Sequence, residues 1–393
     1  MKCAFLIDSF QKSGGLLVVL RHAVYLQELG NYVVLICDTS PSKDFYNWFP
    51  KAESLEVLST KSCEGEEFDI AIATWWETAF NLPKVKARTY AYFSQLVESL
   101  LYPESQILKK LMADASYCLP VHMIVEATWI QRHLKQQYGR DASLVLNGLD
   151  NDIFYPEVSP IAPPVSGVRV LIEGDIYAQH KNVQEALDIA RQSNAQEVWL
   201  LTLADISDHS IADRVFSNVS AKEVASIYSA CDILLKTSLV EGMFGPPLEM
   251  FGCGGTAVVY KVEGAEEYIV NGKNGIVIDT NDKVGALNSL NMLIADSALL
   301  ARMKEEAIIT ASEWPSWAES SSKFAEVVTQ LSDHAAAPYA QLAASCRHFL
   351  EMQQAAETFQ WNVCGLSLKR IAKFFDQNPK IYRAISPLWS WLR

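Results

Sequence analysis

The chain has 393 residues, 50% hydrophobic and 20% charged, with a formal net charge of −13. That balance excludes a disordered chain and leaves enough apolar surface for two or three domains of roughly 100–200 residues each. The acidic surplus argues against sequence-independent nucleic-acid binding, which needs basic surface against phosphates.

The N-terminal run MKCAFLIDSF is broken by Asp8, so it reads as a first β-strand and not as a signal peptide. KCAFLID and YVVLICD are short, β-branched and almost continuously apolar, the pattern of strands buried on both faces of a parallel sheet. Between them LLVVLRHAVYLQEL carries helical recurrence and stops at Gly30. FDIAIAT and RTYAYFS predict further strands, VEATWIQRHLKQQYG an amphipathic helix, and SLVL leads into the turn NGLDND at 147–152. Alternation of this kind predicts a doubly wound α/β domain over 1–155.

The stretch YPEVSPIAPPVSG (155–167), with four prolines and no periodicity, predicts a linker. The alternation then restarts. VRVLIEG, EVWLLTL, CDILLKTS, TAVVYKV and GIVI read as strands, with NVQEALDIARQS, AKEVASIYSA and PPLEMFGCGG as helices. This predicts a second Rossmann-like domain over 156–334. Residues 335–393 are predicted to be a helical extension. Its part from 341 on carries seven Lys/Arg against three Asp/Glu, and ends rich in tryptophan. Such a segment suits either packing back on the domains or docking at a membrane surface. Eight scattered cysteines without a C-x-x-C pair read as buried thiols of a reducing compartment, without zinc-ligand spacing. No apolar run reaches the ~20 residues needed to span a bilayer.

The chemistry concentrates in CDILLKTSLVEGMFGPPLEMFGCGGTAVV, 231–259. A buried strand delivers the chain to Glu241. Gly242 and Gly245 permit tight backbone, Pro246 and Pro247 suit a helix start, and Glu249 follows inside that helix. A diphosphate can sit on amides at such a helix start, beyond the carboxyl ends of the strands, flanked by the two carboxylates.

These residues resemble the E-x7-E motif of the retaining glycosyltransferases of family 4, which have the GT-B fold: two Rossmann-like domains facing a cleft. SGG at 13–15, the NGLD turn with Phe154, and GAEEYIVNGKNGIVI (264–278) extend the resemblance over most of 1–330. The resemblance implies a nucleotide diphosphate sugar as donor, with no cofactor or metal. It implies that Glu249 holds the donor ribose and that Glu241 lies near the transferred sugar. The amides of Met243, Phe244 and Gly245, with Gly14 and Gly15, would face the sugar and phosphates. Lys181, in LIEGDIYAQHKN, matches a lysine that neutralises the leaving diphosphate. The usual arginine is replaced by Asp175, and Lys236 is a candidate to compensate; either lysine could instead be an ordinary surface residue.

YFSQLVESLLYP (92–103) is similar to a subgroup that includes bacterial rhamnosyltransferases of surface-glycan assembly. Gln95 stands where many members have a histidine, and can orient sugar or acceptor but not transfer a proton. Glu98 is a candidate acceptor-binding group or base, or alternatively a capping or solvated carboxylate. Trp75 and Trp76 fit buried packing better than sugar stacking, and His22 fits an apolar helix face.

The expected activity is metal-independent, retaining transfer of a hexosyl or deoxyhexosyl unit, rhamnosyl among them. The acceptor would be a growing surface polysaccharide or lipid-linked glycan, and the location cytoplasmic, with peripheral membrane contact through the extension. The alternatives are a non-catalytic GT-B sugar-binding or scaffold subunit, and a GT-B phosphorylase or epimerase.

Overall fold

A computed structural model gives the fold; it describes residues 1–333 and 339–377, with the side chains of the last segment described to residue 358. Two parallel sheets form two Rossmann-like domains, as the alternation implies. The first holds β1 (Lys2–Leu6), β2 (Tyr32–Ile36), β3 (Glu56–Leu58), β4 (Glu67–Ala73), β5 (Lys86–Ser94), β6 (His122–Val125) and β7 (Ala142–Leu144), in the order β3-β2-β1-β4-β5-β6-β7. The second holds β8 (Arg169–Glu173), β9 (Glu197–Thr202), β10 (Arg214–Ser217), β11 (Ile233–Lys236), β12 (Thr256–Tyr260) and β13 (Gly275–Ile278), in the order β10-β9-β8-β11-β12-β13.

Helices α1 (Gly14–Glu28), α2 (Lys43–Trp48), α3 (Trp76–Asn81), α4 (Ile107–Ser116) and α5 (Thr128–Tyr138) belong to the first domain. Helices α6 (Val183–Gln192), α7 (Ala221–Ser229), α8 (Gly245–Gly252), α9 (Lys283–Ala295) and α10 (Ser297–Glu313) belong to the second, followed by α11 (Trp317–Asp333) and α12 (Tyr339–Gln377). The strands are short and apolar, and both faces of each sheet are covered, as parallel sheets require. Gly139 closes α5 with φ 64°, a left-handed stop open to glycine at little cost. Sequence reading passed over β3, β6 and β10.

The chain crosses between the domains twice, and the two crossings run side by side. The Leu149 amide donates to the Pro315 carbonyl (2.8 Å), the Trp314 indole N–H to the Asn147 carbonyl (2.8 Å), and Ser320 Oγ to the Leu146 carbonyl (2.6 Å). Gly148 lies so close to the Ser316–Trp317 peptide that a Cβ would collide with it. The NGLD turn is therefore one half of a paired hinge.

This second crossing corrects the expected boundary at 334. Helix α11 leaves the second domain and enters the core of the first, where Phe324, Val327 and Val328 pack with the faces of β1, β4 and β5. His22 stacks on Phe324 at 4.2 Å and bonds Ser321 through Nδ1 (3.1 Å), so it is a core histidine; burial lowers its pKa to about 3. Helix α12 packs against α3 and α4 of the first domain through its beginning, where Leu342 and Cys346 are buried. The basic, tryptophan-rich end expected to dock on membranes lies outside the residues whose side chains are described. Among the described residues, no single helix is long and apolar enough to cross a membrane.

Candidate active site

The carboxyl ends of the strands converge on one cleft. In the second domain β8 ends at Glu173 and β11 at Lys236, on either side of the point where strand order reverses, the place where open α/β sheets take ligands. In the first domain Gln95 directly follows β5, Glu126 directly follows β6, and Ser13-Gly14-Gly15 opens α1.

Glu241 is the electrostatic centre. Lys181 Nζ lies 2.9 Å from both of its carboxylate oxygens, and Lys236 Nζ 3.7 Å from one of them. Burial alone would raise its carboxyl, but Lys181 and then Lys236 outweigh that and bring it down to about 2. Lys236 also pairs with Glu173 and lies over the Phe244 ring. Burial works against its ammonium, yet Glu173 and Glu241 together raise its pKa. At 1% side-chain exposure Lys236 is sealed beneath the site, so the expectation that it contacts the donor is corrected: it acts through Glu241. Lys181 keeps 26% of its side chain exposed and is the cation that can reach a ligand.

Glu249, on α8, is half-buried and accepts the Tyr228 hydroxyl at 3.2 Å. Burial, followed by the nearby Glu173 carboxylate, pushes it up to about 7. The two motif carboxylates thus have opposite electrostatic settings: Glu241 is fixed as an anion, and Glu249 titrates near neutrality.

The helix start is poorer in free amides than its sequence suggests. The Met243 amide donates to Glu126 Oε1 (2.9 Å), the Gly245 amide to the Met243 carbonyl (3.0 Å), and Pro246 and Pro247 have no N–H. The expectation that Met243 and Gly245 offer amides to phosphate is corrected accordingly. Phe244 is buried, its carbonyl taken by the Tyr268 hydroxyl. An anion here must lean on Lys181 more than on the helix terminus.

Gly242 has a different reason from turn geometry. Its φ is not in the left-handed region. A Cβ would collide with the Gln95 carbonyl oxygen and come within 2.7 Å of Glu126 Oε1, so glycine lets the first domain press against the loop. Gln95 Nε2 in turn donates to the Gly15 carbonyl (3.1 Å), which brings Gly14, Gly15, Gln95 and Gly242 to one place. The buried Oε1 of Gln95 has no partner, leaving an acceptor for a ligand hydroxyl.

One expectation changes with burial. Glu98 is 1% exposed and accepts the hydroxyls of Tyr92 and Tyr117, the latter at 2.9 Å. Burial raises it to about 8. It is a neutral buried brace for the loop carrying Gln95, not an acceptor-facing base. Asp175, in the place of an arginine, folds back to accept the Tyr177 amide at 2.9 Å, so it shapes the turn before Lys181. Trp76 is buried, with its indole N–H on the Tyr102 hydroxyl (2.8 Å). Sequence reasoning missed Glu173, Glu126 and Trp129. Their only signal is position, at strand ends or just beyond them.

Residues 177–309 match the family model for Glycosyl transferases group 1, a span that includes Lys181, Lys236, Glu241 and Glu249. The O-antigen biosynthesis protein RfbC of Myxococcus xanthus is 23% identical over 289 residues, 71% of this chain. The chain spans only 22% of that relative's length. Among solved structures, HepE of Anabaena in complex with UDP-glucose superposes with a TM-score of 0.69 at 17% identity, covering 84% of this chain and 100% of HepE. Sucrose-phosphate synthase of Thermosynechococcus elongatus gives 0.68 at 14% identity, covering 84% and 99%. The chain has the GT-B fold, and its second domain matches the glycosyl transferases group 1 model over residues 177–309.

Proposed function

We propose that the protein is a retaining glycosyltransferase of family 4 type. It would transfer a hexosyl or deoxyhexosyl unit from a nucleotide diphosphate donor to a surface polysaccharide or lipid-linked glycan. The observation that carries this reading is the Lys181–Glu241 ion pair beyond the carboxyl end of β11, with Glu249 on the helix that follows it. A partly exposed cation for the diphosphate, an ionised carboxylate for the sugar and the Glu249 carboxyl for the ribose hydroxyls answer the three parts of a sugar nucleotide. That HepE holds UDP-glucose on the same fold, and that a relative of low identity is an O-antigen biosynthesis protein, supports the donor class and the direction of the acceptor.

Catalysis follows from charge. The donor C–O bond breaks first, the sugar becomes oxocarbenium-like, and the bonding pair leaves with the diphosphate, which Lys181 stabilises. The acceptor hydroxyl attacks from the same face, and its proton passes to the departing diphosphate. Glu241 stays ionised beside the developing positive sugar. The scheme draws its positive charge from lysine and uses no metal. The rhamnosyl reading rests on the 92–103 segment, and a cytoplasmic location with membrane contact rests on the acceptor class and the basic tail.

The test is a panel of UDP-, GDP- and dTDP-sugars incubated with the full chain and saccharide or lipid-linked acceptors. Release of nucleotide diphosphate with a lengthened glycan, and an NMR-assigned linkage of unchanged anomeric configuration, is the expected result. Binding of no sugar nucleotide would overturn the reading; binding without transfer would favour a scaffold subunit, and inverted configuration would remove the retaining mechanism.

A further inference from the structure

The loop between Glu241 and α8 belongs to the second domain, yet the two hydrogen bonds of its Gly242–Met243 peptide run to the first. Glu126 Oε1 accepts the Met243 amide at 2.9 Å, and the Trp129 indole N–H donates to the Gly242 carbonyl at 3.0 Å. Both polar groups of the Gly242–Met243 peptide are thus held from across the cleft. The Gln95 carbonyl presses on the Gly242 Cα from the same side. Next to them, α5 begins at Ala127, which offers no side-chain cap. The missing cap comes from the second domain: Glu267 accepts the Trp129 amide (3.1 Å) and the Thr128 hydroxyl (2.7 Å). The N-terminus of α5 is thus capped from the second domain, while α5 holds the second domain's loop through Trp129, so both depend on contact between the domains.

We infer that Glu126 is a positioning residue that, with Trp129, clamps the Gly242–Met243 peptide and so makes the presentation of Glu241 depend on contact between the two domains. This deepens the proposed function and rests on it for its catalytic consequence. The contact also explains the chemistry of Glu126 itself. It is buried, burial raises its carboxyl to about 7, and Oε2 accepts the Asn147 amide at 2.8 Å while Asn147 Oδ1 has no partner. A neutral group at 126 serves equally well. Once the Asn147 amide turns over, a glutamine accepts from Met243 with its oxygen and donates to Asn147 Oδ1 with its nitrogen. Asn147 lies in the paired hinge, which joins the clamp to the crossing between domains.

The experiment is hydrogen exchange on the full chain without any ligand, followed by transfer kinetics. Glu126→Ala removes the acceptor of a buried amide, and peptides spanning 241–245 should exchange roughly tenfold faster or more. Glu126→Gln should exchange like the wild type. Should Glu126→Ala fail to fold, Trp129→Phe, which deletes the indole donor and keeps an aromatic ring in its place, must show the same local loosening. In turnover, Glu126→Ala should lower kcat about tenfold or more while KM for the donor moves less, because Lys181 and Glu249 lie outside the clamped peptide. Glu126→Gln should restore the rate. Wild-type exchange at 241–245 in Glu126→Ala or Trp129→Phe overturns the inference, as does a Glu126→Gln chain as loose as the alanine variant. A wild type that transfers from no sugar nucleotide would sink the proposed function and leave the exchange result standing on its own.

Discussion

Lys181 Nζ sits 2.9 Å from both oxygens of Glu241, so the cation proposed to meet a diphosphate is paired with the first carboxylate of the motif. Lys236, buried beside Glu241, is a second cation that holds the carboxylate ionised.

Replacing Lys181 by Met should therefore lower transfer about a hundredfold or more, since charge on the leaving diphosphate loses its main partner. The fold should survive, because Lys181 is partly exposed and Glu241 keeps Lys236. Lys236→Met should behave differently. Breaking a buried ion pair from one side costs roughly 3–5 kcal/mol, so melting temperature should fall along with activity. Steady-state kinetics beside thermal unfolding of both variants separate the two roles.

If Glu249 holds the donor ribose as proposed, donor binding should depend on pH. At about 7 its carboxyl is half-protonated near neutrality, with burial as the main cause. Ribose hydroxyls donate best to the ionised form, so donor affinity should weaken as pH falls through 7 and level off above it. Glu249→Gln should bind the donor more weakly at high pH and with a flat profile across that range. Calorimetric titration with the productive sugar nucleotide from about pH 6 to 8.5 reads both outcomes.

The parts of this molecule legible in sequence are those written in one continuous segment. The apolar runs at Cys3–Leu6 and Ile233–Leu235 announce central strands because both faces are buried, and Glu241 to Glu249 announces the site because strand, turn and helix follow in order. What stayed hidden depends on residues distant in sequence. β3 is three residues long and half exposed, with no pattern to detect. Lys236 reads as a binding cation until Glu173, from β8, is seen against it. Met243 and Glu126 are separated by 117 positions, so nothing local reveals that the motif's amide is spoken for. Glu98 reads as an acceptor-facing or solvated carboxylate until the tyrosines from β5 and the end of α4 are seen to enclose it.

That enclosure has a signed consequence. Glu98 is at about 8 in the folded chain against 4.5 for the free side chain, chiefly through burial. The folded state then holds the proton more tightly than the unfolded state. Its contribution to stability is complete below about pH 4.5 and is lost as pH rises through about 8. Glu98→Gln removes the titration and keeps an oxygen for the tyrosine hydroxyls. The variant should gain stability relative to wild type, on the order of 1 kcal/mol or more, between about pH 5 and 8.5. Urea unfolding at the two pH values checks it; a gap that does not change with pH would remove the neutral-carboxyl account.

Phe324 carries the last prediction, because it anchors the returning helix. Its ring is fully buried, stacks on His22 at 4.2 Å and meets Phe93 edge-on at 5.3 Å and Phe5 at 6.1 Å. Phe324→Ala should cost about 3–5 kcal/mol, the range for emptying an aromatic site in a packed core. The loss should not stay within the first domain. Helix α11 begins at Trp317, whose amide bonds the Leu149 carbonyl in the paired crossing, so a loosened α11 frees one half of the hinge. Hydrogen exchange should therefore rise at 145–150 as well as at 317–333, while the sheet of the second domain keeps its protection. Faster exchange confined to 317–333 would show that the crossing holds without the helix.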